Sequence, residues 1–201
     1  IFAIHVPIAG MAFLPVLFQL PIVLLPAHIA FLELIIDPAC STVFEACPDE
    51  KNIMKRPPRN LRESLFNEKT FIFSLLQGLS VLAFVFIVFW LALYLKKGEL
   101  EARTLAFATL VFANVMLITT NLSWSKNLIG IIKSKNQALW WVVCGALVAL
   151  GLVIYLPMLR NLFHFSVLSL EDFLIALISG IVSLAWFEGL KALNKRLLSA
   201  N

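Results

Sequence analysis

Charge is scarce in this sequence and is confined to short stretches: Asp, Glu, Lys and Arg make up 14% of 201 residues, and none of them occurs between Ile1 and Leu32. A soluble domain carries about 25% charged residues, so the composition argues against a solvated globular domain, a disordered chain or a coiled coil. A net charge of +4 in so apolar a chain does not describe a nucleic-acid-binding surface, and no nucleic-acid partner is expected. Cysteine is also sparse. Cys40, Cys47 and Cys144 show no CxxC spacing and no neighbouring His, which argues against a disulfide or metal framework and leaves them as small apolar side chains. No GxxxG and no internal repeat of about 20–50 residues occurs, so neither a helix-dimerising anchor nor an inverted-repeat transporter is supported. GxxxxGK[ST], GxSxG, HExxH and Rossmann glycine patterns are missing too. The chain opens on Ile1-Phe2-Ala3-Ile4 without methionine, basic n-region or cleavage site, which reads as a truncated N-terminus or a fragment.

What is present is hydrophobic sequence, 61% of residues with a mean hydropathy of +0.92, arranged in blocks near the ~20 residues that cross a bilayer. The expected fold is an all-α polytopic membrane bundle of about six spans. They are placed at about 1–17 (truncated), 22–40, 71–95, 104–122, 138–159 and 171–190, with a turn at Phe18-Gln19-Leu20-Pro21. The charged stretch 41–70, interrupted by Pro48, Pro57 and Pro58, is expected to be a solvated loop.

Alternating loops sort the 16 basic residues into twelve on one side and four (Lys96, Lys97, Arg103, Arg160) on the other. The basic side is expected to be cytoplasmic, which places both chain ends there. Trp90, Tyr94, Trp124, Trp140, Trp141 and Tyr155 fall near span ends, where aromatic rings anchor at the lipid headgroups.

The informative polar residues are those inside the spans. Glu33 and Asp37 are four apart in Phe31-Leu-Glu-Leu-Ile-Ile-Asp-Pro38 and share a helix face. Each costs about 2.5–3.5 kcal/mol at a span centre on insertion scales, and together they repel unless a cation or proton intervenes. Pro38 lacks an N–H and should free the carbonyl of Leu34; Pro7 should do the same for Ala3, beside His5. Carboxylates with released carbonyls suit a hard cation or a proton relay. The competing reading has protonated carboxylates packing against a neighbouring helix, and Asn114 serving as a helix-to-helix hydrogen bond. Glu188 is expected to pair with Lys191, while Gln77 and His28 suggest no partner.

Phe31-Leu-Glu-Leu-Ile-Ile-Asp-Pro-Ala-Cys40, then Pro48-Asp-Glu50 and Asn52-Ile-Met-Lys-Arg-Pro-Pro-Arg59, resemble the sixth membrane helix and following cytoplasmic loop of cation-transporting P-type ATPases. His5-Val-Pro-Ile-Ala-Gly10 resembles the fifth helix of bacterial members. The resemblance extends over the whole chain as the fifth to tenth helices of a calcium-pump-like bacterial pump. It implies an integral protein of the bacterial plasma membrane that moves an inorganic cation through a midmembrane site. Motion would be driven by a phosphorylated aspartate in a DKTGT motif, which this sequence does not contain. ATP and Mg2+ are therefore expected for the full-length protein, with no cofactor and no catalytic residue in this chain alone. The implied partners are the cation, the lipid bilayer and the N-terminal pump domains.

The resemblance assigns cation-ligand positions residue by residue. Asp37 falls on the family's sixth-helix aspartate. Glu33 stands where calcium pumps have Asn, Ile36 where they have a hydroxyl residue, and Pro38 where they have Gly. His5 falls where an Asn is expected and Ile8 where a Glu is, and Asn114 lies, by span order, in the helix that carries an acidic ligand. The expected cation ligands are Asp37 and Glu33, with His5 and Asn114 as neutral ones and Pro7 and Pro38 as the helix breaks. These departures leave calcium, another divalent cation, a monovalent ion and a proton open. Met54, Lys55, Arg56, Pro57, Pro58 and Arg59 are expected to dock the phosphorylation domain. The alternative is a free-standing ion- or proton-coupled carrier, or a membrane scaffold subunit.

Overall fold

The computed structural model describes residues 2–47, 68–122 and 136–189, and these are helical, without a strand among them. The helices are α1 (Phe2–Leu17), α2 (Pro26–Glu45), α3 (Glu68–Tyr94), α4 (Glu99–Asn121), α5 (Gln137–Tyr155), the short α6 (Pro157–Leu162) and α7 (Leu170–Val182). After Ser183 and Leu184 the helix resumes over 185–189. Among the described residues five helical stretches are long and apolar enough to cross a membrane, the last being Leu170–Gly189, and α1 is a shorter apolar helix. An apolar helix of this kind has its backbone donors and acceptors satisfied internally, which is what a hydrocarbon solvent demands.

α4 is the central helix. It is buried on nearly every side from Ala102 to Thr120 and packs against α3 and α7, with α5, α1 and α2 making smaller contacts. Its hydroxyls are absorbed locally: Thr104, Thr109 and Thr119 donate to the carbonyls four residues back, at 2.6, 2.8 and 2.8 Å. Elsewhere a close helix approach depends on glycine. A Cβ on Gly180 of α7 would stand 2.7 Å from Phe112 Cβ and 3.0 Å from Ala113 N of α4. A Cβ on Gly78 of α3 would stand 2.7 Å from Val6 Cβ and 3.0 Å from the Ala3 carbonyl oxygen of α1.

Three helices stop in the same way at one end of the bundle. After α1, Leu20 N–H donates to Pro15 O (2.7 Å) and Gln19 N–H to Val16 O (3.1 Å). After α3, Lys97 N–H donates to Ala92 O (3.0 Å) and Lys96 N–H to Leu93 O (2.9 Å); after α6, Phe165 N–H donates to Arg160 O (2.9 Å) and His164 N–H to Asn161 O (3.2 Å). This paired pattern is a Schellman motif, in which glycine usually takes the left-handed position. Here Gln19, Lys96 and His164 take it, at φ 55°, 57° and 50°, each at a cost of about 1–2 kcal/mol relative to glycine. The Gln19→Gly variant is therefore expected to be slightly more stable, with the denaturation midpoint of the full-length protein rising. A falling midpoint would mean that the Gln19 side chain contributes more than its backbone strain costs.

α2 begins at Pro26, later than the Ile22 expected from the sequence, and runs to Glu45, past Cys40. Proline explains the start: Pro26 suits the first helical position, and it holds Leu25 extended at ψ 162°. His28, three residues after Leu25, completes the cap, its Nδ1 accepting from Leu25 N–H at 3.0 Å. That leaves Nε2 to carry the proton, which it donates to the Phe163 carbonyl at 2.7 Å. The fully buried ring lies against Phe107, Phe163 and Phe165, stacked on the last with centroids 4.7 Å apart. His28 thus joins the start of α2 to the segment after α6. His28→Leu would leave a buried N–H and a carbonyl without partners at about 1–3 kcal/mol each, so Tm should fall by several degrees. His28→Gln, which can still accept from Leu25 N–H, should recover part of the loss; equal Tm values for wild type and His28→Leu would remove this role.

The same end is held by further contacts. Arg103 donates to the carbonyls of Ile22 (3.0 Å) and His164 (3.3 Å), and Ser166 N–H to Thr104 Oγ (2.9 Å). Lys97 forms an ion pair with the nearly buried Asp172. Asp172 also belongs to a cap, because its N–H donates to Ser169 Oγ at 3.1 Å. At the other end Asn136 caps α5 through Leu139 N–H and donates to Val43 O of α2, at 3.2 and 3.3 Å.

Candidate cation site

A polar contact between described side chains joins α1 and α2. His5 Nε2 of α1 lies 3.4 Å from Glu33 Oε2 of α2, and both side chains are about 40% exposed. Pro7 sits within α1 and Pro38 within α2, so each interrupts its helix's hydrogen-bond ladder within one or two turns of the polar residue. Asp37 lies in α2, one turn after Glu33; its side chain is outside the described residues. A carboxylate and an imidazole facing each other across two proline-broken apolar helices can hold a cation or share a proton.

The other expected donors are placed differently. Ala3 O, the carbonyl that Pro7 frees, lies 3.0 Å from where a Cβ on Gly78 of α3 would stand. Asn114 is 1% exposed and borders a cavity of about 20 Å³ among Phe31, Ile36, Val111 and Ala146 and their neighbours. Neither of its amide atoms has a hydrogen-bond partner among the described residues. The structure therefore brings His5 and Glu33 together and sets Asn114 on the face of α2 that presents Leu32 and Ile36. Among the described residues no group of three or more His, Cys, Asp and Glu side chains is assembled. Met54, Lys55, Arg56, Pro57, Pro58 and Arg59 of the expected docking loop lie outside the described residues, as does Lys191, the expected partner of Glu188.

Two polar partnerships were not foreseen in the sequence. Gln77 of α3 and Asn121 of α4 exchange amide hydrogen bonds at 3.4 and 3.3 Å. Trp186 Nε1 donates to Ser80 Oγ (3.1 Å), whose hydroxyl faces the Ser183 carbonyl at 3.0 Å where α7 is interrupted. Neither has a local sequence signal, because each joins residues more than forty positions apart. The Asp172 cap does have one: Ser169-Leu-Glu-Asp172 has the S-x-x-[DE] spacing of a capping box.

Residues 21–193 match the family described as cation transporting ATPase, C-terminus. The chain belongs to this family. Among its relatives is calcium-transporting ATPase type 2C member 1 of Homo sapiens, 27% identical over 162 residues, which are 79% of this chain and 17% of that protein. Calcium-transporting ATPase 1 of Bacillus cereus is 26% identical over 199 residues, covering 91% of this chain and 22% of the relative. The calcium-transporting ATPase of Bacillus subtilis is 26% identical over 166 residues, covering 80% and 18%. This cation-transporting ATPase C-terminal region thus spans between 17% and 22% of the length of these relatives. Its apolar helices and its family make it part of an integral membrane protein.

Proposed function

We propose that this chain is the ion-translocating membrane region of an ATP-driven P-type cation pump, with the cation held between α1 and α2 by Glu33, Asp37 and His5. The observation that carries the proposal is the Glu33–His5 contact at 3.4 Å in a chain whose residues 21–193 belong to the cation-transporting ATPase family. Two ionisable groups facing each other within apolar helices cost several kcal/mol when uncompensated, and a bound cation or shared proton removes that cost. Interruption of the helices at Pro7 and Pro38 supports a site that can open and close, since the backbone there lacks part of its ladder.

In this proposal ATP and Mg2+ act on domains elsewhere in the whole protein. Asn114 is a neutral ligand only in a conformation that brings it out of its apolar cavity. The charged stretch around Met54 to Arg59 docks the phosphorylation domain, and both ends of the chain face the cytoplasm of a bacterial plasma membrane. The bundle end held by His28, Arg103 and the Lys97–Asp172 pair is then the non-cytoplasmic end. Glu33→Gln in the full-length protein tests the site: cation-stimulated ATP hydrolysis should fall to background. Stimulation equal to wild type would remove Glu33 from it. A free-standing carrier would instead move the cation without any dependence on ATP.

A further inference from the structure

A site made for calcium would offer about six to eight oxygen ligands, and among the described side chains the α1–α2 contact offers only the carboxylate of Glu33. Residues 1–32 contain no carboxylate, so the group α1 presents to Glu33 is an imidazole nitrogen. The carbonyl oxygen of Ala3 lies 3.0 Å from where a Cβ on Gly78 of α3 would stand, and the amide of Asn114 lies in an apolar cavity. A hard ion gains little from nitrogen, whereas imidazole is a preferred ligand of borderline divalent ions such as Zn2+, Co2+ and Ni2+. These also need fewer ligands, because zinc is satisfied by four, of which water can be one. The geometry allows both groups to reach one ion: two ligands about 2.0–2.1 Å from a tetrahedral zinc stand about 3.3 Å apart, close to the 3.4 Å between His5 Nε2 and Glu33 Oε2.

We propose that the cation carried at this site is a borderline divalent transition ion of the Zn2+ class, in preference to Ca2+, with His5 Nε2 as the selecting ligand beside Glu33 and Asp37. The inference rests on the transport reading above and adds the class of ion to it. His5 binds neutral through Nε2, so the ion's charge is balanced by the carboxylates alone.

The test uses the full-length protein in lipid nanodiscs, with Mg2+-ATP present and free Zn2+, Co2+ or Ca2+ held by metal buffers. ATP hydrolysis should reach half-maximal stimulation at a free Zn2+ concentration about 100-fold below that for Ca2+. His5→Asn should raise the Zn2+ requirement about 10–100-fold and leave the Ca2+ requirement unchanged or lower. Retention of Tm and of the monodisperse elution profile in His5→Asn shows that the variant is folded. Zinc bound per protein, counted by elemental mass spectrometry without ATP, should fall in parallel. Stimulation by Ca2+ at the lowest concentration in wild type, with no change in His5→Asn, overturns the choice of ion while leaving the pump reading intact. Stimulation by none of the three ions also overturns the choice of ion; loss of the pump reading itself would instead show as transport that does not depend on ATP.

Discussion

Asp37→Asn in the full-length protein is expected to lower cation-dependent phosphorylation from ATP by about 100-fold or more, given that even outer-sphere groups change metal affinity by about 10–100-fold. Phosphorylation from inorganic phosphate, which in a pump of this kind does not require the bound cation, should persist. The contrast between the two reactions separates a lost ligand from a misfolded protein. The reasoning is electrostatic. Asp37 and Glu33 lie one helical turn apart on α2, and their mutual repulsion in an apolar span favours either a proton or a cation between them. Asn keeps the size and one oxygen of the side chain and removes the charge that a divalent ion needs. Wild-type levels of ATP phosphorylation in Asp37→Asn would take Asp37 out of the site.

Gly180→Leu is expected to destabilise the whole bundle, because α7 meets the central helix at that residue. A Cβ there would stand 2.7 Å from Phe112 Cβ and 3.0 Å from the backbone nitrogen of Ala113, and backbone cannot rotate away. Overpacking of a tight contact costs about 1–3 kcal/mol, and a full leucine at a helix crossing should reach the upper end. Loss of monodisperse protein, or a Tm several degrees lower, is the expected result. Gly151→Ala is the matching control. Nothing lies within 4 Å of a Cβ at Gly151, so replacing a glycine inside α5 should be neutral or stabilising by about 0.5–1 kcal/mol. Equal stability of Gly180→Leu and wild type would mean that α4 and α7 do not approach as described.

The helical architecture was legible in the sequence because its cause is local. Long charge-free blocks have one solution in a bilayer, and Pro21 marks where the first block breaks, although the start of α2 at Pro26 was not read from the sequence. The family was legible from Phe31 to Arg59, where residue identities as well as hydropathy carry the likeness. Legibility stopped where contacts join distant parts of the chain. His28 has no sequence partner because its aromatic surroundings arrive from Phe107, Phe163 and Phe165. Gln77 finds Asn121 across 44 positions. Helical spacing places Glu33 and Asp37 on one face, but it does not say that His5 comes within 3.4 Å of Glu33, nor that Asn114 turns into an apolar cavity. The left-handed caps at Gln19, Lys96 and His164 were hidden for another reason: residues without glycine's freedom give no warning of a positive φ.

The central claim is that the α1–α2 contact carries the cation across the membrane. ATP-driven uptake of the cation into sealed proteoliposomes containing the full-length protein tests it most directly, with wild type and Glu33→Gln compared at equal incorporation. Wild-type vesicles should accumulate the ion only with ATP, and Glu33→Gln vesicles should remain at the level of empty liposomes. Equal accumulation by both, or accumulation by wild type that is indifferent to ATP, would contradict the account.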